Sequence, residues 1–303
     1  MSLGDLIAAG AARVQEHAPF GPRTTYRVGG AVRVLVTLSS MADVEELGPL
    51  IESSGRPMVV LGNGSNLLVA EGEHDVIGVH LDGEFDRLTW HDDGATVMVE
   101  AGAAVALPVA ARRLASDGVI GFEWAVGVPG TFGGAAVMNA GGHGSNMAAS
   151  IVHVRTWRSG ESRIWSLPEL HYDYRSSALL AGELVTGVTL CLNRGDSNAA
   201  EEQIRSIVRW RREHQPGGAN AGSVFRNPPG DHAARLIESA GCKGLRFGGA
   251  VVSEKHANFF QVEPGGSAND VYHLLVLVRD RVRAASGVEL ATEHHLLGFG
   301  VDP

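Results

Sequence analysis

The stretch GVPGTFGGAAVMNAGGHG runs from Gly127 to Gly144, and seven of its eighteen residues are glycine. Glycine in ordered structure is destabilising by roughly 0.5–1 kcal/mol against alanine. Such a run is therefore either a floppy linker or a surface that something must approach closely. Flexible linkers are polar and Gly/Ser-rich, whereas Val128, Phe132, Val137 and Met138 are interleaved here. The stretch reads as an ordered loop leading into a short helix, TFGGAAVMN, with bare backbone at Gly127, Gly130, Gly133 and Gly134. A helix start with exposed amides attracts phosphate. Glycine equally permits close packing of backbone on backbone.

A second glycine-rich turn, LGNGSNLL (61–68), directly follows the strand-like PMVV. Gly62 and Gly64 let amides face inward, and Ser65 and Asn66 add polar donors, which makes an anion nest. The alternative is a tight turn with asparagine in a left-handed conformation. No Gly-Lys-Ser/Thr follows, so it is not a Walker loop, and the third glycine and helix of the dinucleotide fingerprint are missing.

Composition bounds the rest. The chain has 303 residues, 44% hydrophobic and 19% charged, enough for one large or two ordinary domains with a sizeable core. A net charge of −9 argues against a nucleic-acid or anionic-membrane surface. An anionic ligand would be bound by local amides and a few placed cations. Cys191 and Cys242 are too few for a disulfide framework, which fits a reducing compartment. No apolar run approaches the ~20 residues of a membrane span, and the opening residues read as an amphipathic helix over 1–18 without a secretory pattern. The expectation is a cytoplasmic protein of open oligomeric state, compatible with a monomer, with no membrane insertion.

Ser40 with Asp43 opens a helix that runs to about Ser53, between strands at 32–36 and 57–62. Alternating runs at 76–81, 86–90 and 96–100 read as strands, and Pro108 starts a helix that ends in glycine. Residues 151–193 are strand-rich, and the chain turns polar near Asp196. An arginine-rich helix, a shorter helix, two strands and a long helix at 268–286 follow. The expected fold class is α+β in two domains, 1–195 and 196–303, with the glycine-rich loops confined to the first.

Three polar groups stand out beyond the loops. AGSVFRNP (221–228) presents Ser223 between glycine and an apolar pair; a turn satisfying its own hydroxyl is the alternative. YDYRSS (172–177) offers Arg175, either a surface ion pair or a ligand for an anion. ATEHHLLGFG (291–300) offers Glu293 before two histidines; adjacent strand residues face opposite ways, so His294 and His295 do not form a metal site. No metal site is expected anywhere. Arg205, Arg209 and Arg212 recur at helical spacing and read as a solvated face.

Taken together, TTYRVGG (24–30), LGNGSNLL, EWAVGVPGTFGGAAVMNAG, YDYR, QPGGANAGSVFRNP, GCKGLRFGGAVVSEKHANFF and ELATEHHLLG (289–298) stand in the order seen in the UDP-N-acetylenolpyruvylglucosamine reductase family. The chain resembles that family, also called UDP-N-acetylmuramate dehydrogenase, over nearly its whole length. The resemblance implies an FAD-binding domain of the vanillyl-alcohol-oxidase / p-cresol methylhydroxylase type, followed by a smaller α+β substrate-binding domain. It implies that Gly62, Asn63, Gly64, Ser65 and Asn66, Gly127, Gly130, Thr131, Gly133, Gly134 and Asn139, with Thr25 and Arg27, line FAD.

The implied reaction belongs to peptidoglycan precursor synthesis, and so to cell-wall biogenesis, cell shape and division. NADPH gives a hydride to the flavin; the enolpyruvyl sugar nucleotide then receives hydride at C3 and a proton at C2. By resemblance Ser223 is the proton donor, Arg175 grips the substrate carboxylate, and Glu293 works beside it, which two facing carboxylates allow only if one is protonated. Asn227, Lys243, His256 and Arg226, the last in place of a more usual lysine, match positions that contact the sugar nucleotide.

Two departures are visible. Leu290-Ala291-Thr292-Glu293 stands where the family commonly has Leu-Glu-Pro-Glu, and His143 takes an aromatic place. The short spacing from YDYR to GSVF suggests the branch without an extra substrate-covering loop. The competing readings are another FAD-dependent sugar or alcohol oxidoreductase on the same scaffold, and a non-catalytic nucleotide-sugar binding protein.

Overall fold

The Ser40 signal is realised in full. Its hydroxyl accepts the Asp43 amide while the Asp43 carboxylate accepts the Ser40 amide, opening α2 (Met41–Ser53). The expected helix over 1–18 is shorter. It forms only as α1 (Leu3–Ala9), Gly10 closes it with a bond to the Leu6 carbonyl, and the chain continues as β1 (Val14–Pro19) beside β2 (Ala31–Leu38). Strand pairing there overrides helical propensity. The computed structural model describes residues 3–10, 12–179 and 182–300, so residues 1, 2 and 11 of that expectation lie outside them.

The chain divides into two units, each built from separate stretches of sequence. The first comprises Met1–Glu16, Arg33–Asn63 and Asp75–Trp210; the second comprises His17–Val32, Gly64–His74 and Arg211–Pro303. The expected division at 195/196 has a different form from this one. The sequence at Asp196 does open a helix, α5 (Ser197–His214), but the unit division falls inside that helix, and two N-terminal stretches join the second unit.

In the first unit β3 (Met58–Val60) lies parallel to β5 (Glu73–Leu81), which stands between β3 and β2 in the sheet order β1-β2-β5-β3. The rest is an antiparallel sheet of β6 (Leu88–Asp93), β7 (Thr96–Gly102), β8 (Val119–Ile120), β11 (Ile151–Arg158), β12 (Glu161–Ser166) and β13 (Leu184–Arg194). Strict alternation in β7 buries Val97, Val99 and Ala101, as expected of a half-buried strand. Their core is shared by α3 (Leu107–Ser116) through Leu107, Ala110, Ala111 and Leu114. Between α3 and β11 lie α4 (Phe132–Val137) and the hairpin of β9 (Gly141–Gly142) and β10 (Ser145–Asn146).

In the second unit β14 (Arg246–Phe247), β15 (Ala250–Val252) and β16 (Phe260–Val262) make an antiparallel sheet. Their core includes α6 (Ala233–Ser239) and α7 (Ala268–Ser286), where Val271, Leu274, Leu275, Val278 and Val282 recur at three- and four-residue spacing. Tyr26 and Leu68, from the two N-terminal stretches, belong to this core. The short strand β4 (Leu67–Val69) pairs in parallel with β17 (His295–Leu297), Leu67 opposite His295.

Helix α7 opens on a second capping box, in which the Ser267 hydroxyl accepts the Asp270 amide at 3.1 Å. Ser267→Ala should lower the unfolding free energy by about 1 kcal/mol, read from the urea midpoint at constant slope. An unchanged midpoint would show that this cap does not limit the second unit.

Candidate active site

In the first unit the two glycine-rich loops meet. A side chain at Gly62 would place its Cβ 2.6 Å from Thr131 Oγ1. Next to it Asn63 Nδ2 donates to the Pro129 carbonyl at 2.9 Å. Two of the amides that open α4 are already engaged: Phe132 donates to Val105 and Gly133 to Ala103 at 2.8 Å. Gly133 therefore serves close backbone packing, since a Cβ there would stand 3.2 Å from the Ala103 carbonyl oxygen. Around Gly134 the space is open, with Thr131 Oγ1 the nearest atom, 4.0 Å from a built Cβ.

The turn after α4 holds the loop that carries Arg175. Asn139 is buried; its side chain donates to the Asp173 carbonyl at 3.1 Å and accepts the Ala148 amide at 3.1 Å. Ser177 Oγ donates to the Val137 carbonyl at 2.7 Å. Thus YDYRSS is laced onto the turn after α4, and Arg175 Nη2 donates to the Gly141 carbonyl at 3.2 Å. Arg175 itself sits at a φ of 54°, a strained conformation for a non-glycine residue. Asn139, expected to face the cofactor, is in this structure the residue that ties the Arg175 loop down.

In the second unit one asparagine organises the site. Asn66 Nδ2 donates to the Glu293 carbonyl at 2.9 Å, and the Asn66 carbonyl accepts the His295 amide at 3.0 Å. Gly64, at a φ of 59°, accepts the Thr25 amide at 3.2 Å; a Cβ there would meet Thr24 Cα at 2.6 Å. The Glu293 amide donates to the Val224 carbonyl at 2.8 Å and the Arg226 amide to the Ala291 carbonyl at 2.9 Å. Ser223 pairs on its other side with Phe259. Thr25, Asn66, Ser223 and Glu293, scattered over the sequence, therefore hang on one backbone network.

Asn258 holds the serine strand and was missed by the sequence reading. Its buried amide accepts from Phe225 N at 3.0 Å and donates to Phe225 O at 2.8 Å. The signal was present in KHANFF, but nothing local marks a side chain that pairs with a backbone 33 residues away. His256 packs its ring on Phe259, and burial holds its pKa below the usual histidine value. Asn227 Oδ1 accepts the Ala233 amide at the start of α6. Lys243, expected as the diphosphate cation, is paired with Glu238 at 2.8 Å. The Arg226 Nε is buried with no hydrogen-bond partner among the described residues. Arg27, expected beside the cofactor, is exposed at a φ of 62°.

In the first unit, the glycine-opened backbone around Gly62 and Thr131 suits the close approach of an anionic ligand. A model of an FAD binding domain matches residues 32–163, and one of the UDP-N-acetylenolpyruvoylglucosamine reductase C-terminal domain matches residues 214–297. The fold and site define an FAD-containing oxidoreductase. A relative from Symbiobacterium thermophilum, UDP-N-acetylenolpyruvoylglucosamine reductase 2, is 39% identical over 94% of this chain and 92% of its own length. The UDP-N-acetylenolpyruvoylglucosamine reductase of Rubrobacter xylanophilus is 38% identical over 92% of this chain and 94% of its own. The crystal structure of UDP-N-acetylenolpyruvylglucosamine reductase from Thermus caldophilus superposes with a TM-score of 0.80 at 33% identity, covering 94% of this chain and 99% of that one. The chain belongs to the UDP-N-acetylenolpyruvoylglucosamine reductase family. A moss protein, Physcomitrella patens BBE-like 1, shares the fold alone, at a TM-score of 0.56 and 12% identity.

Beneath the Glu293 strand lies His294, buried edge-to-face against Tyr26, its two ring nitrogens without hydrogen-bond partners among the described residues. Burial pushes its pKa down to about 4; the Ala221 backbone opposes this without reaching hydrogen-bond geometry, and His295 adds to it. An unfolded histidine titrates near ~6.5. Between these values the unfolded chain holds a proton that the folded chain lacks, so stability is full above the upper value and declines as pH falls toward the lower. The slope is at most about 1.4 kcal/mol per pH unit. His294→Leu should flatten this acid limb in urea melts run from pH 7 to pH 4. Superimposable limbs for parent and variant would remove His294 as its source.

Proposed function

We propose that the chain reduces the enolpyruvyl ether of UDP-N-acetylglucosamine to UDP-N-acetylmuramate in the cytoplasm, with NADPH as reductant. The observation that carries this reading is that Ser223 and Glu293 share one backbone ladder with the Asn66 loop. FAD, when bound, supplies acceptance and delivery of the hydride. Gly62, Asn63, Thr131 and Gly134, with Gly64, Ser65, Asn66 and Thr25, are the residues that would hold it.

The double bond gains a hydride at C3 and a proton at C2. The Ser223 hydroxyl delivers that proton and is afterwards restored from solvent. A serine is a weak acid, so the accepting carbon must be strongly basic and the substrate carboxylate must be held by a cation. Arg175 suits that task because a guanidinium grips a carboxylate through two parallel bonds. Glu293 stands beside the same carboxylate, which favours its protonated form. Asn227, Arg226, Lys243 and His256 line the sugar nucleotide. Between YDYR and GSVF the chain places β13 and α5, which supports the branch lacking an extra cover.

An anaerobic two-stage experiment tests the reading. NADPH should bleach the flavin, and adding the enolpyruvyl sugar nucleotide should restore its absorbance. Ser223→Ala should leave bleaching unchanged and slow the return by a factor of about 10²–10⁴. Return at the parental rate would remove Ser223 as the acid. A flavin that NADPH never bleaches would favour a binding protein instead.

A further inference from the structure

The hairpin of β9 and β10 turns on two residues, His143 and Gly144, between the paired Gly142 and Ser145. Both central residues have positive φ, 50° and 85°. The type I′ hairpin turn requires positive φ at both, and its preferred sequence is Asn-Gly. Histidine in that conformation is tolerated rather than favoured. The needs of the turn therefore do not account for His143.

The imidazole has what an asparagine lacks, a ring. It meets the indole of Trp210 edge-to-face, with centroids 5.3 Å apart and planes at 90°. Trp210 lies far along the chain on α5, and both residues are exposed, so burial does not force them together. Residues 141, 142 and 144 are all glycine, so His143 is the single side chain with which that stretch can grip a neighbour. The base of the hairpin is held separately. The Met147 amide donates to the Ala140 carbonyl at 3.0 Å, and Asn139 Oδ1 accepts the Ala148 amide.

Between that base and the tip stands Gly141, whose carbonyl accepts Arg175 Nη2 at 3.2 Å. A Cβ at Gly141 would lie 2.6 Å from the Ser145 carbonyl oxygen, so the position stays bare. Arg175 is held at a φ of 54°. Strained backbone of this kind persists where neighbours over-determine it, and the Gly141 carbonyl is one of those neighbours. A hairpin whose tip swung would carry that carbonyl, and the plane of the guanidinium, with it. We propose that His143 is a positioning residue: its ring contact with Trp210 holds the β9–β10 hairpin, so that the Gly141 carbonyl sets the Arg175 guanidinium for the substrate carboxylate. This rests on the reductase reading, in which Arg175 grips that carboxylate.

The test uses the full-length holoenzyme. Flavin is reduced anaerobically with NADPH, and the return of its absorbance is followed against the concentration of the enolpyruvyl sugar nucleotide. UDP, which has no carboxylate, is titrated by calorimetry, and hydrogen exchange is followed over residues 140–148. His143→Asn suits the turn but removes the ring. It should lower the second-order rate of return about three- to tenfold, the range of one ring contact, and speed exchange over 140–148 while UDP affinity stays near the parental value. His143→Tyr, which keeps a ring, should hold the parental rate, and Trp210→Ala should reproduce the loss. In an Arg175→Lys background His143→Asn should lower the rate no further. A parental rate in His143→Asn would overturn the proposal, because the residue would then serve the turn alone. So would an equal loss in His143→Asn and His143→Tyr, or a loss of UDP affinity as large as the loss of rate, which would move the ring pair to the nucleotide. Additive effects of His143→Asn and Arg175→Lys would break the link to the guanidinium. Should Trp210→Ala fail to fold, His143→Asn and Trp210→Phe decide by the same criteria. A parent whose bleached flavin the sugar nucleotide fails to restore would count against the reductase reading instead, and exchange over 140–148 unchanged in His143→Asn would still overturn the brace.

Discussion

The second unit depends on one long-range stitch, the pair of hydrogen bonds between Asn66 and the strand around Glu293. It joins residues 227 positions apart. A contact of that separation carries a large loop-closure cost, which two hydrogen bonds and three residues of parallel pairing do not offset alone. The remainder comes from burial: Leu68 is fully enclosed, and it joins a core with Val224, Phe225 and Leu290. Polar register and apolar packing thus act on the same few residues. The network sets which backbone atoms face each other, and the core keeps them there.

That division of labour clarifies the glycines. The opening stretch raised two uses for bare backbone, approach by a ligand and approach by protein. The structure holds both within a few residues. Gly133 brings α4 against Ala103, and Gly62 brings one loop against Thr131. Gly134 leaves room instead. A glycine-rich motif is therefore not one device. Some of its members build the wall, and others keep the wall from intruding.

Local signals were legible in the sequence because they are local. The capping boxes at Ser40 and Ser267, the Pro108 helix start and the alternation in β7 depend on residues within a turn or two of one another. The order of β5 between β2 and β3, and the membership of TTYRVGG and SNLLV in the C-terminal unit, depend on pairing across the chain, which periodicity does not encode. The same limit hid Asn258, whose partner is a backbone 33 residues away. The site residues became legible as a set only through the order of several motifs along the chain. No single one identified the chemistry.

The departure at Leu290-Ala291-Thr292-Glu293 has a physical resolution. In the antiparallel pairing of Phe225 with Thr292, the ladder bonds are made by the flanking residues: Arg226 N to Ala291 O, and Glu293 N to Val224 O. The amide of residue 292 takes no part in this pairing, so a proline there removes no ladder bond. Threonine contributes something proline lacks. Its hydroxyl lies 3.3 Å from the Val224 carbonyl and 3.2 Å from the His294 amide, donating to the first and accepting from the second. A rigid ring and a bridging hydroxyl are two ways to fix the same extended strand. What both preserve is the register that sets Glu293 on Val224, next to Ser223.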